Sequence, residues 1–240
     1  MFSVRYEGCP RVLEMPLETQ SVNPTLAAEV GKIWDEAQAE QGAALFNGLI
    51  FSVTDITGSL ITGYFVEYKY FVAVRRRPEL FSELQVRPLA VTGLSRCDGG
   101  IILGRRSAHV TQDRGLWECV PSGGIDRSSR QADGSINIAH QIGQELSEET
   151  GLRPELITNV CPRYVIEDSS SHLFDIVADV VLNLSTEEAK SALDNMSSVE
   201  YDKFNVLDIE GAKSFFKDDQ GRIAPLSRYL VEELEMLEVI

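Results

Sequence analysis

The sequence predicts an α+β fold built on a mixed β-sheet, and two features of the chain lead to this prediction. Segments with strand character both precede and follow one central helix, which differs from the regular alternation of a repeated βαβ fold. The central helix has clear limits, because helical signals begin near Ser135 and Gly151 is a natural stop after Thr150. Together these features favour an α+β fold or a mixed-sheet sandwich.

The first 85 residues predict a small α/β extension. Asn23 followed by Pro24 is typical of a helix start, and apolar residues then recur at helical spacing over residues 24–41. Residues 45–54 and 58–74 are rich in Ile, Val, Phe and Tyr and predict strands, with a short helix through Leu84. Because no low-complexity linker follows, we expect this extension (1–85) to pack on the domain formed by residues 86–240.

Residues 86–240 predict a second series of elements. Strands over Pro88–Leu94 and Ile101–Gly104 flank the turn Asp98-Gly99-Gly100, which is typical of a hairpin. A short strand over Leu116–Val120 precedes the flexible sequence Pro121-Ser122-Gly123-Gly124 and a polar loop. The remaining predicted elements, in order, are the central helix (135–150), strands over 158–167 and 172–183, a helix over 186–194 capped by Ser185, a strand over 200–207 and a final helix over 224–237.

Composition and charge exclude several functional classes. The chain has 240 residues, 43% of them hydrophobic, and a net charge of -15. Such a surface repels polyanions, so neither nucleic acid nor an anionic membrane is an expected partner. The four cysteines form no CxxC pair, which argues against a disulfide framework or a zinc site. Because the sequence shows no apolar leader and no apolar run of 18 residues, a cytoplasmic location is expected; the oligomeric state stays open.

Three glutamates share one face of the central helix. Glu148 and Glu149 follow Glu145 at three and four residues, and both spacings bring side chains to the same face. Like charges there repel, and the last turn of a helix disfavours anions, so a bound cation would stabilise the arrangement. Carboxylate oxygens are preferred ligands of hard divalent cations such as Mg²⁺. The spacing alone also fits a solvated acidic face, which is the commoner meaning of such clusters.

The segment from Gly124 to Leu152 resembles the Nudix box. That pattern has a glycine, a glutamate, and then Arg-Glu-hydrophobic-x-Glu-Glu-x-Gly-hydrophobic. Upstream, Gly100–Arg106 resembles the hairpin that precedes the box, and the resemblance covers roughly residues 86–210. The positions supplied in register are Glu145, Leu146, Glu148, Glu149, Gly151 and Leu152.

This resemblance implies a Nudix-type α/β/α sandwich and a pyrophosphohydrolase that cleaves a nucleoside diphosphate linked to another moiety. It implies that Glu145, Glu148 and Glu149 are the catalytic, metal-binding acids, with Mg²⁺ as cofactor and Mn²⁺ as a second possibility. The Trp-containing helix, Leu45-Phe46-Asn47 and the aromatic run Tyr64–Phe71 are similar to a Nudix branch that includes UDP-glucose and UDP-galactose hydrolases. A small nucleotide, with a nucleotide sugar such as UDP-glucose favoured, is therefore the expected partner.

Three departures from the box support an alternative function. Gln144 stands where the family has an arginine, and a glutamine carries no charge. The earlier glutamate of the box falls on Ile136, and the 21 residues from Gly124 to Glu145 are six more than in the family pattern. The alternative is a catalytically impaired, nucleotide-binding regulator on a Nudix scaffold, since fold alone does not fix function.

Five further residues are candidate substrate contacts. The Gly123-Gly124 turn allows close approach of backbone to the metal or the phosphates. Arg105 and Arg106 are candidates for the diphosphate because guanidinium groups bind phosphate oxygens in pairs, although they fit an ordinary charged surface equally well. Trp117 is a candidate for stacking on a base, and a core position is the alternative.

Overall fold

Two β-sheets and seven α-helices make up the described part of the chain. The computed structural model describes residues 1–15, 23–41, 45–110, 112–194, 196, 198–218 and 220–237. The strands are β1 (Phe2–Glu7), β2 (Arg11–Glu14), β3 (Leu49–Thr57), β4 (Leu60–Glu67), β5 (Leu89–Asp98), β6 (Gly100–Arg106), β7 (Trp117–Cys119), β8 (Ser122–Gly124), β9 (Ile157–Asp168), β10 (Leu173–Ser185) and β11 (Tyr201–Leu207). The helices are α1 (Pro24–Gln41), α2 (Tyr68–Arg76), α3 (Phe81–Leu84), α4 (Ile138–Thr150), α5 (Thr186–Leu193), α6 (Ile209–Asp218) and α7 (Pro225–Glu232).

The larger sheet is mixed, as predicted. Its order is β1-β9-β10-β5-β6-β11, with β7 paired to β6 and β8 paired to β5. Strands β5 and β10 are parallel, whereas β9 and β10, and β5 and β6, are antiparallel. Three-residue strand β8 places Ser122, Gly123 and Gly124 opposite Thr92, Val91 and Ala90 of the central strand β5. The prediction of a turn at Gly123-Gly124 is therefore wrong: both glycines are extended and paired with the middle of the sheet. The name glycine turn is kept below for Ser122–Gly124.

Both faces of the larger sheet are covered by apolar contacts. On one face, Val91 of β5 shares a buried cluster with Ile142 and Leu146 of α4. On the other face, Leu103 of β6 lies in a cluster with Phe216 of α6. Burial on both faces is what places helices on either side of the sheet, so the predicted α/β/α sandwich with a mixed sheet is confirmed.

The N-terminal third joins the same structure through both β1 and the smaller sheet. Strand β1 pairs with β9 at the edge of the larger sheet. The smaller sheet, of order β2-β4-β3, places Val12, Phe51 and Ile61 in the buried cluster of α4. Helices α1 and α2 form a separate apolar cluster around Val30 and Phe71. A domain boundary between residues 85 and 86 stays a prediction.

Residues 58–74 correct the sequence prediction, because their second half is helix rather than strand. Helix α2 begins at Tyr68, and the Asn47 side chain accepts a hydrogen bond of 2.9 Å from the backbone N–H of Lys69. The aromatic and β-branched residues suggested a strand, but they form the buried face of a helix instead, with Phe71 and Val74 three residues apart. The side chain that anchors the start of this helix lies 22 residues away, beyond the reach of local patterns.

The C-terminal part also differs from the prediction. Helix α6 was not predicted, and α7 spans Pro225–Glu232 rather than 224–237. Helix α4 begins at Ile138, three residues after Ser135, because Asn137 caps it by accepting a hydrogen bond of 3.0 Å from the N–H of His140. The hairpin β5–β6, the stop at Gly151 and the Ser185 cap are confirmed. Among the described residues, none of the helices is long and apolar enough to cross a membrane.

Candidate metal and active site

Helix α4 directs two of its glutamates toward the glycine turn. Ile142 and Leu146 are fully buried against the sheet, and this contact fixes the rotation of the helix. Glu149 is 2% exposed, and its two carboxylate oxygens accept hydrogen bonds of 3.2 and 3.1 Å from the backbone N–H of Ser122. The helix is thereby tied to β8 by a charged side chain and a main-chain donor.

Glu145 lies directly against Gly123. A Cβ atom on Gly123 would lie 2.2 Å from Cδ of Glu145 and within 2.4 Å of both its carboxylate oxygens. Real Cβ contacts are not this close, so the carboxylate occupies the space that a side chain at this position would need. A Cβ atom on Gly124 would have one neighbour within 4 Å, the side chain of Ile50, at 4.0 Å. A side chain at the first glycine would therefore displace the carboxylate of Glu145, whereas the second glycine has room.

Gln141 positions Glu145 and was not singled out from the sequence. It is 1% exposed, and its Nε2 donates 2.8 Å to Oε1 of Glu145 and 3.1 Å to the carbonyl of Gly124. Its Oε1 accepts from the N–H of Asp126 at 3.2 Å. The signal that identifies it is spacing, since Gln141 lies four residues before Glu145 and shares its helical face.

Glu118 forms the opposite wall of the site. Its Oε1 accepts a hydrogen bond of 2.5 Å from the hydroxyl of Tyr201 and pairs with Nη1 of Arg106 at 3.2 Å. The Tyr201 hydroxyl also lies 3.4 Å from Oε1 of Glu149. Because Tyr201 comes from β11, 83 residues from Glu118 and 52 from Glu149, neither contact could be read from local sequence.

Burial raises the pKa values of these acids. Burial, opposed by the Gln141 hydrogen bond and assisted by Glu148, raises the pKa of Glu145 to about 7. Burial and the nearby carboxylates of Glu200, Glu145 and Glu118 raise the pKa of Glu149 well above its usual range. Neighbouring carboxylates that share one buried region destabilise each other's charged form unless a cation compensates them. The electrostatics thus favour binding of a positive ion at this place.

The donor set matches a hard divalent cation in its chemistry. Glu145 and Glu149 offer carboxylate oxygens beside the backbone of Ser122 and Gly123, and Mg²⁺ prefers oxygen ligands. Glu148 is exposed at the rim and acts electrostatically on Glu145. Within the described ranges, no group of three or more His, Cys, Asp or Glu side chains is gathered closely enough to hold an ion. Metal binding by all three glutamates therefore stays a prediction.

The positions that depart from the box have clear structural roles. The side-chain oxygen of Gln144 accepts a hydrogen bond of 2.6 Å from the hydroxyl of Ser128, in the loop that carries the six additional residues. Ile136 is 6% exposed and belongs to the core cluster beneath α4, so it supplies no acid to the site. Neither Gln144 nor Ile136 thus brings a charge to the site, whereas the loop itself is tied to β2 by an ion pair between Arg130 and Glu14.

The candidate substrate contacts occupy different surroundings. Arg106 binds Glu118 and Glu200, both at Nη1, which fits a role in positioning Glu118. Arg105 pairs with Asp202 at 2.7 Å. Trp117 is 6% exposed and packs edge-on against a phenylalanine of α6. These are the surroundings of a core residue, which was the alternative to stacking on a base. The roles of Arg105, Arg106 and Trp117 as substrate contacts stay predictions.

Comparisons with known proteins find similarity in structure only. No protein-family profile matches the chain, and no curated protein matches it. The solved structures that it resembles include a MutT protein from Methanosarcina mazei Go1, which is 17% identical, with 64% of this chain and 96% of that chain covered and a TM-score of 0.45. A NUDIX hydrolase from Nitrosomonas europaea is 15% identical, with coverages of 62% and 88% and a TM-score of 0.40.

A third structure is a bifunctional NMN adenylyltransferase/ADP ribose pyrophosphatase from Francisella tularensis, complexed with AMP and a Mn ion. It is 17% identical, with 70% of this chain and 46% of that chain covered and a TM-score of 0.47. At these identities and TM-scores, the similarities leave the substrate and the reaction of this chain open.

Proposed function

We propose that this protein is a Nudix-type, Mg²⁺-dependent pyrophosphohydrolase that acts on a nucleoside diphosphate linked to another moiety. The observation that carries the proposal is the seating of Glu145 against Gly123, beside Glu149 bound by the N–H of Ser122. The contact joins the two halves of the box-like sequence, the glycine turn and the acidic helix. Among such substrates we favour a nucleotide sugar such as UDP-glucose, on the sequence resemblance of the N-terminal third.

Each residue near the turn has a role in this proposal. A divalent ion held by Glu145, Glu148 and Glu149 would supply Lewis acidity at a phosphoryl oxygen and lower the pKa of bound water. Gln141 holds the carboxylate of Glu145 in place, and Ser122 holds that of Glu149. Water adds to phosphorus and the bridging P–O bond breaks, which leaves a nucleoside monophosphate and a phosphorylated second product.

A second candidate function is a nucleotide-binding regulator with impaired catalysis. Gln144 makes a neutral hydrogen bond to Ser128 where the family pattern has an arginine, and Ile136 is a core residue where it has an acid. Both features reduce the charge available to orient a catalytic carboxylate. They leave Glu145 and Glu149 in place, so metal and nucleotide binding would persist.

A substrate panel separates the two functions. We would incubate the protein with UDP-glucose, ADP-ribose, dinucleotides and deoxynucleoside triphosphates, with Mg²⁺, with Mn²⁺ or with EDTA, and identify the products. The enzyme proposal predicts metal-dependent cleavage at the diphosphate that is lost in Glu145→Gln. It predicts no loss in Glu187→Gln, a matched change at a carboxylate that is 86% exposed on α5. Tight binding of a nucleotide without cleavage of any compound would favour the regulator.

A further inference from the structure

A small cavity lies along helix α2, outside the box-like region. Its volume is about 200 Å³, and Leu45, Tyr68, Phe71, Arg75 and Gln112 are among the residues that line it. Drug-sized ligands occupy pockets of roughly 300–1,000 Å³, so a cavity of this size suits a single ring rather than a whole nucleotide. We call these five residues and the space between them the α2 pocket.

The α2 pocket lies beside the acidic site. The N–H of Tyr68 donates 2.8 Å to the carbonyl of Gly48. Two residues later, Ile50 bridges to Asp126 and lies 4.0 Å from the position of a Cβ atom on Gly124. The start of α2 is thus joined through strand β3 to the glycine segment against which Glu145 is seated.

A second segment that lines the pocket, the loop that contains Gln112, is also connected to the acidic site. Gln112 is on the loop between β6 and β7, next to Asp113. Three residues after Gln112, the N–H of Gly115 donates 2.9 Å to the carbonyl of Arg106, whose guanidinium pairs with Glu118 at 3.2 Å. The pocket is therefore connected to the acidic site through two separate segments of the chain.

Arg75 differs from the two arginines that follow it. Arg76 is held by Glu40 through hydrogen bonds of 3.1 and 2.6 Å, and Arg77 by Glu29 at 2.5 Å. In the part of the chain that the structure describes, Arg75 makes no ion pair and lies with its guanidinium 6.0 Å from the ring centre of Phe71. An exposed arginine in a chain of net charge -15 is thus free to bind an anion beside the acidic site.

The remaining lining combines apolar walls with few polar groups. Leu45 and Phe71 supply hydrocarbon surface, while the hydroxyl of Tyr68 and the amide of Gln112 can each donate and accept hydrogen bonds. A sugar ring presents hydroxyl groups around its whole edge and needs more polar partners. A nucleobase presents two apolar faces and a polar edge, which fits this lining better.

We propose that the α2 pocket is the nucleobase subsite, and that Arg75 binds the diphosphate where it passes toward Glu145 and Glu149. This inference rests on the proposed function, because it names the part of the substrate that the N-terminal third holds. It assigns Tyr68 and Gln112 to the edge of the base. It also gives α2 a direct part in substrate selection.

Binding of non-cleavable analogues tests the inference. We would titrate α,β-methylene analogues of UDP, ADP, GDP and CDP, in Mg²⁺, into wild-type protein and the variants Arg75→Ala, Tyr68→Phe and Arg77→Ala. Arg77→Ala removes the same charge two positions further along, just after the end of α2, and leaves the pocket lining intact. Loss of an arginine–phosphate contact weakens binding by about tenfold or more. We expect that loss for Arg75→Ala, a smaller loss for Tyr68→Phe, and binding within about twofold of wild type for Arg77→Ala.

The same titrations separate this inference from the proposed function. Equal affinities in Arg75→Ala and Arg77→Ala, or no binding of any analogue to wild type, would overturn the α2 pocket as the subsite. Cleavage of a nucleoside diphosphate derivative with such equal affinities would retain the function and reject the subsite. Arg75-dependent binding without cleavage of any compound would retain the subsite and reject the enzyme.

Discussion

Alanine at Gly123 tests whether the contact between the glycine turn and Glu145 matters for activity. The new Cβ would lie 2.2 Å from Cδ of Glu145, whereas ordinary contact begins near 3.4 Å, so the carboxylate must shift by about 1 Å or more. A displacement of this size in a catalytic constellation costs about 100-fold in rate. We therefore expect kcat/KM for the best substrate to fall by about 100-fold.

Stability should change little in this variant. The atoms that must move are at the flexible end of Glu145, and the main loss is its hydrogen bond of 2.8 Å from Gln141, worth about 1 kcal/mol. Replacing glycine in extended backbone restricts the unfolded chain and returns about 0.4–1 kcal/mol. The two effects nearly cancel, so Tm should stay within about 3 °C of wild type.

Gly124→Ala provides the matched control. Its Cβ meets only Ile50, at 4.0 Å, so it makes the same chemical change one residue away without displacing a carboxylate. Metal-dependent hydrolysis and thermal unfolding would be measured for both variants alongside wild type. Equal activity in Gly123→Ala and Gly124→Ala would refute the argument that the position of the Glu145 carboxylate against Gly123 is needed for hydrolysis.

Two further predictions concern the buried polar groups Asp175 and Tyr201. Burial raises the pKa of Asp175 to about 7, with a hydrogen bond of 3.0 Å from Thr92 opposing it, so the folded state binds more protons than the unfolded state between about pH 4 and 7. Stability should fall as pH rises through that window, and for Asp175 the part of the fall between pH 5 and pH 8 is about 3 kcal/mol. Because Glu145 titrates in the same window, urea unfolding at pH 5 and pH 8 should show a fall in both proteins that is smaller in Asp175→Asn than in wild type; an equal fall in both proteins would contradict the assignment. Tyr201→Phe removes the hydroxyl that donates to Glu118, and urea unfolding should show a loss of about 1–3 kcal/mol, whereas an unchanged midpoint would show that Arg106 alone satisfies Glu118.

Local sequence patterns predicted the elements whose ends are defined by their own residues. Ser185 caps α5 through a reciprocal contact with Glu188, three residues on, and Gly151 ends α4 in a left-handed conformation. The glutamates of α4 were found for the same reason, because helical spacing alone places Glu145 and Glu149 on one face.

Contacts between distant segments explain what the sequence could not predict. The start of helix α2 is held by a hydrogen bond to Asn47, which lies 22 residues from Lys69. The aromatic residues of this helix form a strand-like pattern in the sequence, but in the structure they pack on α1. Tyr201 enters the site only because β11 pairs with β6, opposite Arg106. Long-range pairing of this kind has no local signature, and the same holds for the α2 pocket.

Direct binding of Mn²⁺ tests the central claim that the α4 glutamates hold a divalent ion. Titration of wild type, Glu145→Gln, Glu148→Gln, Glu149→Gln and the exposed control Glu187→Gln, followed by the electron paramagnetic resonance of free Mn²⁺, needs no knowledge of the substrate. We predict binding in wild type and Glu187→Gln, and clear loss in each of the three α4 variants. Unchanged Mn²⁺ binding in Glu145→Gln, Glu148→Gln and Glu149→Gln would show that these acids are a solvated surface and would contradict the claim.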